Sequence, residues 1–219
     1  MKYVKMLGLA AIAAAALMAF VGASSASATV LCTVEGTGTP TGTTCPANEA
    51  YKAETEIHAV NKGVVKLDGA LVIECNKSTI KGNTTSEGSA TETVGGPITT
   101  LTFEECTCEV KVLKAGSLEV HWINPVDEGG KETGSHNGTL TSSGAEVTVL
   151  CKTIFGNVHC IFTTNATDIG TLTGGNPAIA TANAILTQAK TDSLCPSEPR
   201  WTATYEVTTP KPLFVAGHT

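Results

Sequence analysis

Apolar and polar residues alternate with a period of two along most of this chain. The pattern is clearest where Leu118, Val120 and Trp122 alternate with Glu119 and His121. Because residues two apart lie on the same face of a β-strand, this segment predicts a strand with one buried and one solvated face. The same alternation recurs in the segments 71–75, 101–103, 108–112, 147–151, 158–162 and 201–207. Strands with one wet face are typical of antiparallel sheets.

Turn-forming sequences separate these segments. They lie at 68–69, 95–97, 137–138, 156–157 and 174–177, and they consist mainly of glycine, asparagine, aspartate and proline. These residues favour tight-turn backbone conformations, so they mark the ends of short strands. About ten short strands at this spacing predict an all-β fold. We expect an antiparallel β-sandwich with Greek-key connections, and a closed β-barrel is the alternative.

The alanine-rich segment 178–190 permits two assignments. Alanine favours a helix on intrinsic propensity. However, Ala180, Ala182, Ala184 and Leu186 also fall on one face of a strand. Because the neighbouring segments all have strand character, we favour one long strand here.

The first 28 residues have the organisation of a secretory signal peptide. Lys2 and Lys5 precede an uncharged apolar run at 6–21, and Ala26-Ser27-Ala28 has the small residues that a signal peptidase requires. A membrane anchor is disfavoured because the run is short for a span and no basic cluster follows it. We expect a secreted or cell-surface protein that is outside the membrane after cleavage. The predicted divisions are a signal peptide at 1–28, a Thr/Gly/Pro-rich, disulfide-clipped segment at 29–50 and a single β domain at 51–219.

The region after the leader is acidic. It contains 12 basic and 20 acidic residues, which give a net charge of −8, and Arg200 is its only arginine. Nucleic-acid binding needs clustered lysine and arginine against the phosphates, so this composition excludes nucleic acid as a partner.

All the cysteines lie after the leader, and their number is even. In an exported chain this predicts four disulfides. The Cys106-Thr107-Cys108 doublet has one intervening residue, whereas zinc ligands are separated by two to four and come in two pairs. We therefore expect disulfides and no metal site. The eight residues are Cys32, Cys45, Cys75, Cys106, Cys108, Cys151, Cys160 and Cys195.

Spacing suggests a pairing of these cysteines. Two bridges are expected to be local, because each would close a glycine-containing turn. Cys106 and Cys108 share a strand face, where their Cβ vectors do not converge, so they must take different partners. The predicted local pairs are Cys32–Cys45 and Cys151–Cys160. Cys75 and Cys195 remain as partners for Cys106 and Cys108; the order Cys75–Cys106 and Cys108–Cys195 is preferred, and the spacing leaves the reverse order open.

Five strings in the second half of the chain carry a resemblance. They lie at 138–144, 147–151, 158–164, 167–175 and 201–210. Together they resemble a large group of small secreted proteins from high-GC soil bacteria. The resemblance implies export and a shared fold. The group has no assigned activity, so no catalytic residue is implied here.

No residue of the chain is predicted to be catalytic, to hold a cofactor or to bind a metal. The histidines are scattered, and no two have the spacing of metal ligands on one strand. His121 and His159 lie on wet strand faces, and Asp168 is expected to form an Asx-turn rather than a calcium site. Trp122 and Trp201 lie on apolar faces, which predicts core positions. The histidines are His58, His121, His136, His159 and His218.

These observations favour a non-enzymatic extracellular binding protein or a surface-associated structural protein of unknown ligand. Threonine-rich wet faces would suit cell-wall polysaccharide or another copy of the chain as a partner. The alternative is a secreted hydrolase or hydrolase inhibitor. A hydrolase needs a nucleophile, an oriented base and a water-excluding pocket, and an inhibitor needs a rigid loop beside a disulfide, for which 32–45 and 151–160 are candidates.

We predict that the mature protein begins at Thr29, because the peptidase motif ends at Ala28. Mass spectrometry of culture supernatant should find the chain without its leader. Membrane-bound protein that still carries residues 1–28 would contradict export.

Overall fold

The computed structural model describes residues 29–38, 44–46, 48–69, 71–89, 91–123, 137–154, 156–190, 194–196 and 198–218. Within these ranges the chain forms antiparallel strands and no helix, so the all-β prediction is confirmed. In the same ranges there is no helix that could cross a membrane. The strands are β1 (Val30–Cys32), β2 (Glu56–Asn61), β3 (Val65–Asp68), β4 (Ile73–Asn83), β5 (Val94–Cys106), β6 (Glu109–Lys114), β7 (Ser117–Trp122), β8 (Asn137–Ser143), β9 (Glu146–Thr153), β10 (Gly156–Thr163), β11 (Thr167–Thr173), β12 (Ile179–Ile185), β13 (Thr187–Lys190), β14 (Arg200–Thr209) and β15 (Phe214–Ala216).

Eight of the strands close into a barrel. Their order is β2, β4, β5, β7, β8, β11, β12 and β14, and β14 pairs with both β12 and β2. Strand β3 continues β2 after a short break, because it pairs with the same two neighbours, β14 and β4. The closed barrel is therefore the architecture found. The Greek-key sandwich is not, because strands adjacent in the barrel are also successive barrel strands along the chain.

A second sheet continues the barrel at one end. Its order, β13-β10-β9-β6, repeats the order of the barrel strands to which these four are joined, β12-β11-β8-β7. The four strands thus leave the barrel wall together. Two of the bends need glycine: Gly116 and Gly144 have φ values of +75° and +71°. A Cβ on Gly116 would lie 2.4 Å from the carbonyl oxygen of Ser143, so only glycine fits this crossing.

The other end of the barrel is covered by a two-stranded sheet of β1 and β15. Thr29 immediately before β1 is completely buried, and its hydroxyl accepts a hydrogen bond from the backbone N–H of Trp122 at 2.9 Å. Leu31 and Leu213 are also buried there, and both contribute to the main apolar core. The N-terminal and C-terminal strands together therefore form a cap over this end.

Segment 178–190 is extended, as the alternation predicts. It forms β12 and β13, and Ala182 and Ala184 of β12 are buried in the core. Tertiary pairing on both sides of β12, with β11 and β14, outweighs the helix propensity of its alanines.

All eight cysteines form disulfides, as predicted, but only two of the predicted pairs are present. Cys32–Cys45 and Cys75–Cys106 are confirmed. Cys151–Cys160 and Cys108–Cys195 are wrong: the bonds are Cys108–Cys151 and Cys160–Cys195. The β9–β10 hairpin places Cys151 opposite Val158 rather than Cys160, while β6 on the other side of β9 brings Cys108 beside it. Four disulfides indicate an oxidising environment.

Removal of the disulfides one at a time should show unequal effects. The Cys108–Cys151 bond joins residues 43 apart, and Cys32–Cys45 joins residues 13 apart. Because the entropy lost by the unfolded chain grows with loop length, Cys108→Ala/Cys151→Ala should cost about 1 kcal/mol more than Cys32→Ala/Cys45→Ala. Guanidinium unfolding of the two double variants measures this difference. A larger cost for the Cys32/Cys45 variant would contradict it.

Candidate functional site

The interior of this barrel is not filled by side chains. Cavity I, of about 120 Å³, lies among the barrel strands. Cavity II, of about 90 Å³, lies between the barrel strands and the four-stranded sheet. A buried apolar cavity of about 150 Å³ can stay dry and bind benzene. Each of these two cavities is smaller than that, and their combined volume is larger.

Hydrocarbon lines both cavities. Cavity I is surrounded by inward-facing residues of the barrel, including Ala59, Val94, Leu140, Leu172, Ala182 and Val207. Cavity II has Val65, Ile73 and Phe103 of the barrel strands on one side and Val147, Val149 and Phe162 of the four-stranded sheet on the other. Most of these side chains belong to one continuous core cluster.

Five residues line both cavities and form what we call the shared layer: Ile80, Ile98, Leu118, Ile169 and Trp201. They come from five different barrel strands, β4, β5, β7, β11 and β14. The two cavities are therefore neighbours along the barrel, and they meet at this one ring of side chains.

Small residues at inward positions explain cavity I. An eight-stranded barrel has an interior just wide enough for large side chains to fill. Here Ala59 of β2 and both Ala180 and Ala182 of β12 line the interior. A methyl group replaces a branched side chain at each of these places, which leaves the centre of the barrel open.

One pair of hydroxyl groups is buried in the barrel wall. The Tyr205 hydroxyl lies 2.9 Å from the hydroxyl of Ser78 in β4, and both residues are buried. Burial raises the pKa of Tyr205 to about 12, and the hydrogen bond with Ser78 opposes part of this shift. Tyr205 lines cavity I, so its neutral phenol contributes ring surface there rather than charge.

Trp201 supplies a second polar group, an indole N–H. Its Nε1 is buried and has no hydrogen-bond partner among the described residues. The Trp201 ring meets the Tyr205 ring edge to face, with centroids 6.3 Å apart. A buried donor without an acceptor costs about 1–3 kcal/mol. Trp122 also has a buried, unpartnered Nε1, but it lines neither cavity I nor cavity II.

Charged groups lie on the outside of the barrel wall. Lys66 forms an ion pair with Glu74 at 2.6 Å, and both side chains are exposed to solvent. Glu206 is paired with Lys62 and Lys211, whose hydrogen bonds lower the pKa of its carboxyl. Lys66 borders cavity II, but it alternates with the inward-facing Val65 and Leu67.

The histidines and Asp168 are dispersed over different elements. His121 lies on β7, 3.7 Å from the carboxylate of Glu119, and His159 lies on β10, 2.6 Å from the hydroxyl of Thr148. Asp168 accepts a hydrogen bond from the backbone N–H of Gly170, which is the expected Asx-turn. Nowhere in the described ranges do three His, Cys, Asp or Glu residues converge as metal ligands would. His136 lies outside the described residues.

The alternation of apolar and polar residues predicts both tryptophans in the core, but it does not indicate a cavity. Trp122 and Trp201 are half-buried and pack against the core cluster. The available signal was the small size of inward residues such as Ala59, Ala180 and Ala182, which the period-two pattern treats as ordinary apolar positions. Whether these small residues leave a cavity depends on the number of strands in the barrel, which the alternation does not give.

Comparison of this chain with protein-family models, with curated proteins and with solved structures finds no match.

The buried phenol of Tyr205 predicts a loss of stability at high pH. An unfolded tyrosine has a pKa near 10, whereas the folded value is about 12, so the neutral phenol is favoured by folding. The neutral phenol therefore contributes about 2–3 kcal/mol to the free energy of unfolding. This contribution is complete below pH 10 and is lost as the pH rises through about 12. The free energy of unfolding should therefore fall less between pH 9 and 12 in Tyr205→Phe than in the wild type. Burial also raises the pKa of Tyr51, but Tyr51→Phe leaves the large shift at Tyr205 in place, so this control should keep most of the steep fall. Identical slopes in wild type and Tyr205→Phe would contradict the assignment.

Proposed function

We propose that this chain is an exported, non-enzymatic binding protein that encloses a small apolar molecule inside its barrel. The observation that supports this most directly is the pair of neighbouring apolar cavities on either side of the shared layer. Export agrees with the leader at 1–28 and with the four disulfides, which form in oxidising compartments.

The energetic cost of empty space supports a bound ligand. Protein interiors are close-packed, and few voids exceed the size of a water molecule. At the cost per unit volume measured for cavities left by core truncations, cavities I and II would cost roughly 3 and 2 kcal/mol when empty. Larger side chains at Ala59 or Ala182 would remove much of the cost of cavity I, which both residues line. The presence of alanine at both positions is consistent with a ligand that fills the space.

The interior chemistry favours binding over hydrolysis. The described lining of the two cavities offers the hydroxyls of Tyr205, Ser142 and neighbouring threonines, but no histidine or carboxylate that could act as a base. A hydrolytic site needs such a base beside its nucleophile. For an inhibitor, one candidate loop is lost, because Cys151 and Cys160 do not bond to each other.

Filling cavity I should abolish binding without unfolding the protein. Ala182→Leu places three more carbons into cavity I, so it should raise stability by about 0.5–2 kcal/mol and prevent uptake of n-hexane. The measurement is the rise in Tm on equilibration with n-hexane vapour, which we expect for the wild type and not for Ala182→Leu.

Ala178→Leu is the matched control. Ala178 is 1% exposed and lines neither cavity, so leucine there should overpack the core and lower stability by about 1–3 kcal/mol. The folded control should still bind n-hexane. A wild-type protein whose Tm and NMR spectrum do not respond to n-hexane would contradict the proposed function.

A further inference from the structure

We propose that the ligand is a neutral, elongated molecule, mostly hydrocarbon, with one acceptor oxygen that receives a hydrogen bond from Trp201 Nε1. Ketones, esters and lactones of medium chain length have this chemistry. The inference rests on the proposed function and adds the ligand's class, its polar anchor and its position across the shared layer.

The position of Trp201 supports the anchor. It is the one member of the shared layer with a polar side-chain group, and it lines both cavities. Its N–H is buried and unpartnered among the described residues, and an indole N–H can only donate. An acceptor is therefore the complementary group. The nearby Tyr205 hydroxyl does not fill this role, because it is hydrogen-bonded to Ser78 and Trp201 meets its ring rather than its oxygen.

Water is a poor substitute for such an acceptor. A buried water is held by about three hydrogen bonds. The hydroxyls of the lining are already hydrogen-bonded within the protein, as Tyr205 is to Ser78 and Ser142 is to Thr164, so the Trp201 N–H would supply a single bond. A ligand with one carbonyl oxygen and an apolar remainder matches one donor in an apolar space.

The absence of interior charge selects a neutral ligand. The lysines that border the cavities belong to outward positions: Lys66 pairs with Glu74, and Lys81 follows Ile80, which faces the interior, on β4. An ionised carboxylate inside the barrel would lose its hydration without gaining a cation. Fatty-acid anions therefore fit less well than ketones or esters of similar length.

Cavity volume sets the length. The volumes of about 120 and 90 Å³ can be compared with the roughly 150 Å³ that holds benzene. At the same cavity volume per carbon atom as for benzene, the two cavities together have room for about eight carbon atoms. A chain that crosses the shared layer would place its middle or its polar end beside Trp201.

The test uses 2-octanone and n-octane, which differ by one oxygen, and octanoate as the charged analogue. The first readout is the pair of indole N–H resonances of the uniformly ¹⁵N-labelled wild-type protein, assigned with Trp122→Phe and Trp201→Phe. We expect 2-octanone to move the Trp201 resonance downfield, n-octane to leave it without a downfield shift, and octanoate to bind more weakly than 2-octanone.

The second readout is affinity. Trp201→Phe should weaken 2-octanone about 3- to 10-fold more than it weakens n-octane, because only the ketone loses a hydrogen bond. Trp122→Phe removes an equally unpartnered indole outside the cavities and should affect both ligands equally. If 2-octanone and n-octane both bind, but neither the Trp201 N–H resonance nor the affinities distinguish them, the Trp201 anchor is wrong. The proposed apolar binding site would be unaffected by that result. If neither ligand binds, the proposed function itself fails.

Discussion

The closure of eight strands into one barrel is the constraint on which the rest of this structure depends. Closure fixes the interior width, because strand number and tilt set the diameter of a barrel. Strand β14 completes it by pairing along most of its length with β12 and also with β2 and β3. Once the width is fixed, the volume of the inward side chains decides whether the interior is solid or hollow. Alanine at 59, 180 and 182 makes it hollow.

The departure of four strands from the barrel wall extends this interior. Because β6, β9, β10 and β13 keep the order of the strands they continue, their sheet stays opposite β3, β4 and β5 and encloses cavity II. The disulfides secure this arrangement. Cys108–Cys151 joins β9 to the chain just before β6, and Cys160–Cys195 joins β10 to the segment that leads into β14.

Much of the local structure could be predicted from the sequence, and the long-range arrangement could not. Alternation located the strands around Val120, Val149 and Trp201 and favoured an extended 178–190, because the period of two is a local property. It did not distinguish a barrel from a sandwich, since both bury one face of each strand. The pairing of Cys151 failed for the same reason: its partner depends on which strand lies on the far side of β9, and Cys108 is 43 residues away. The cavities were missed because they depend on the summed volume of residues from many strands.

The hollow interior also gives a reason for four disulfides in a chain of this size. A region of about 190 residues can bury enough apolar surface to fold without covalent help. This one forgoes part of that packing at its centre, where small side chains line cavity I. Disulfides stabilise the fold largely by restricting the unfolded chain, and that contribution does not depend on how well the core is filled. The bonds Cys75–Cys106, Cys108–Cys151 and Cys160–Cys195 lie in the strands and connections near cavity II, and of these cysteines Cys75 is the one that lines it. The stability that these bonds supply in the walls therefore compensates for an interior that side chains do not fill.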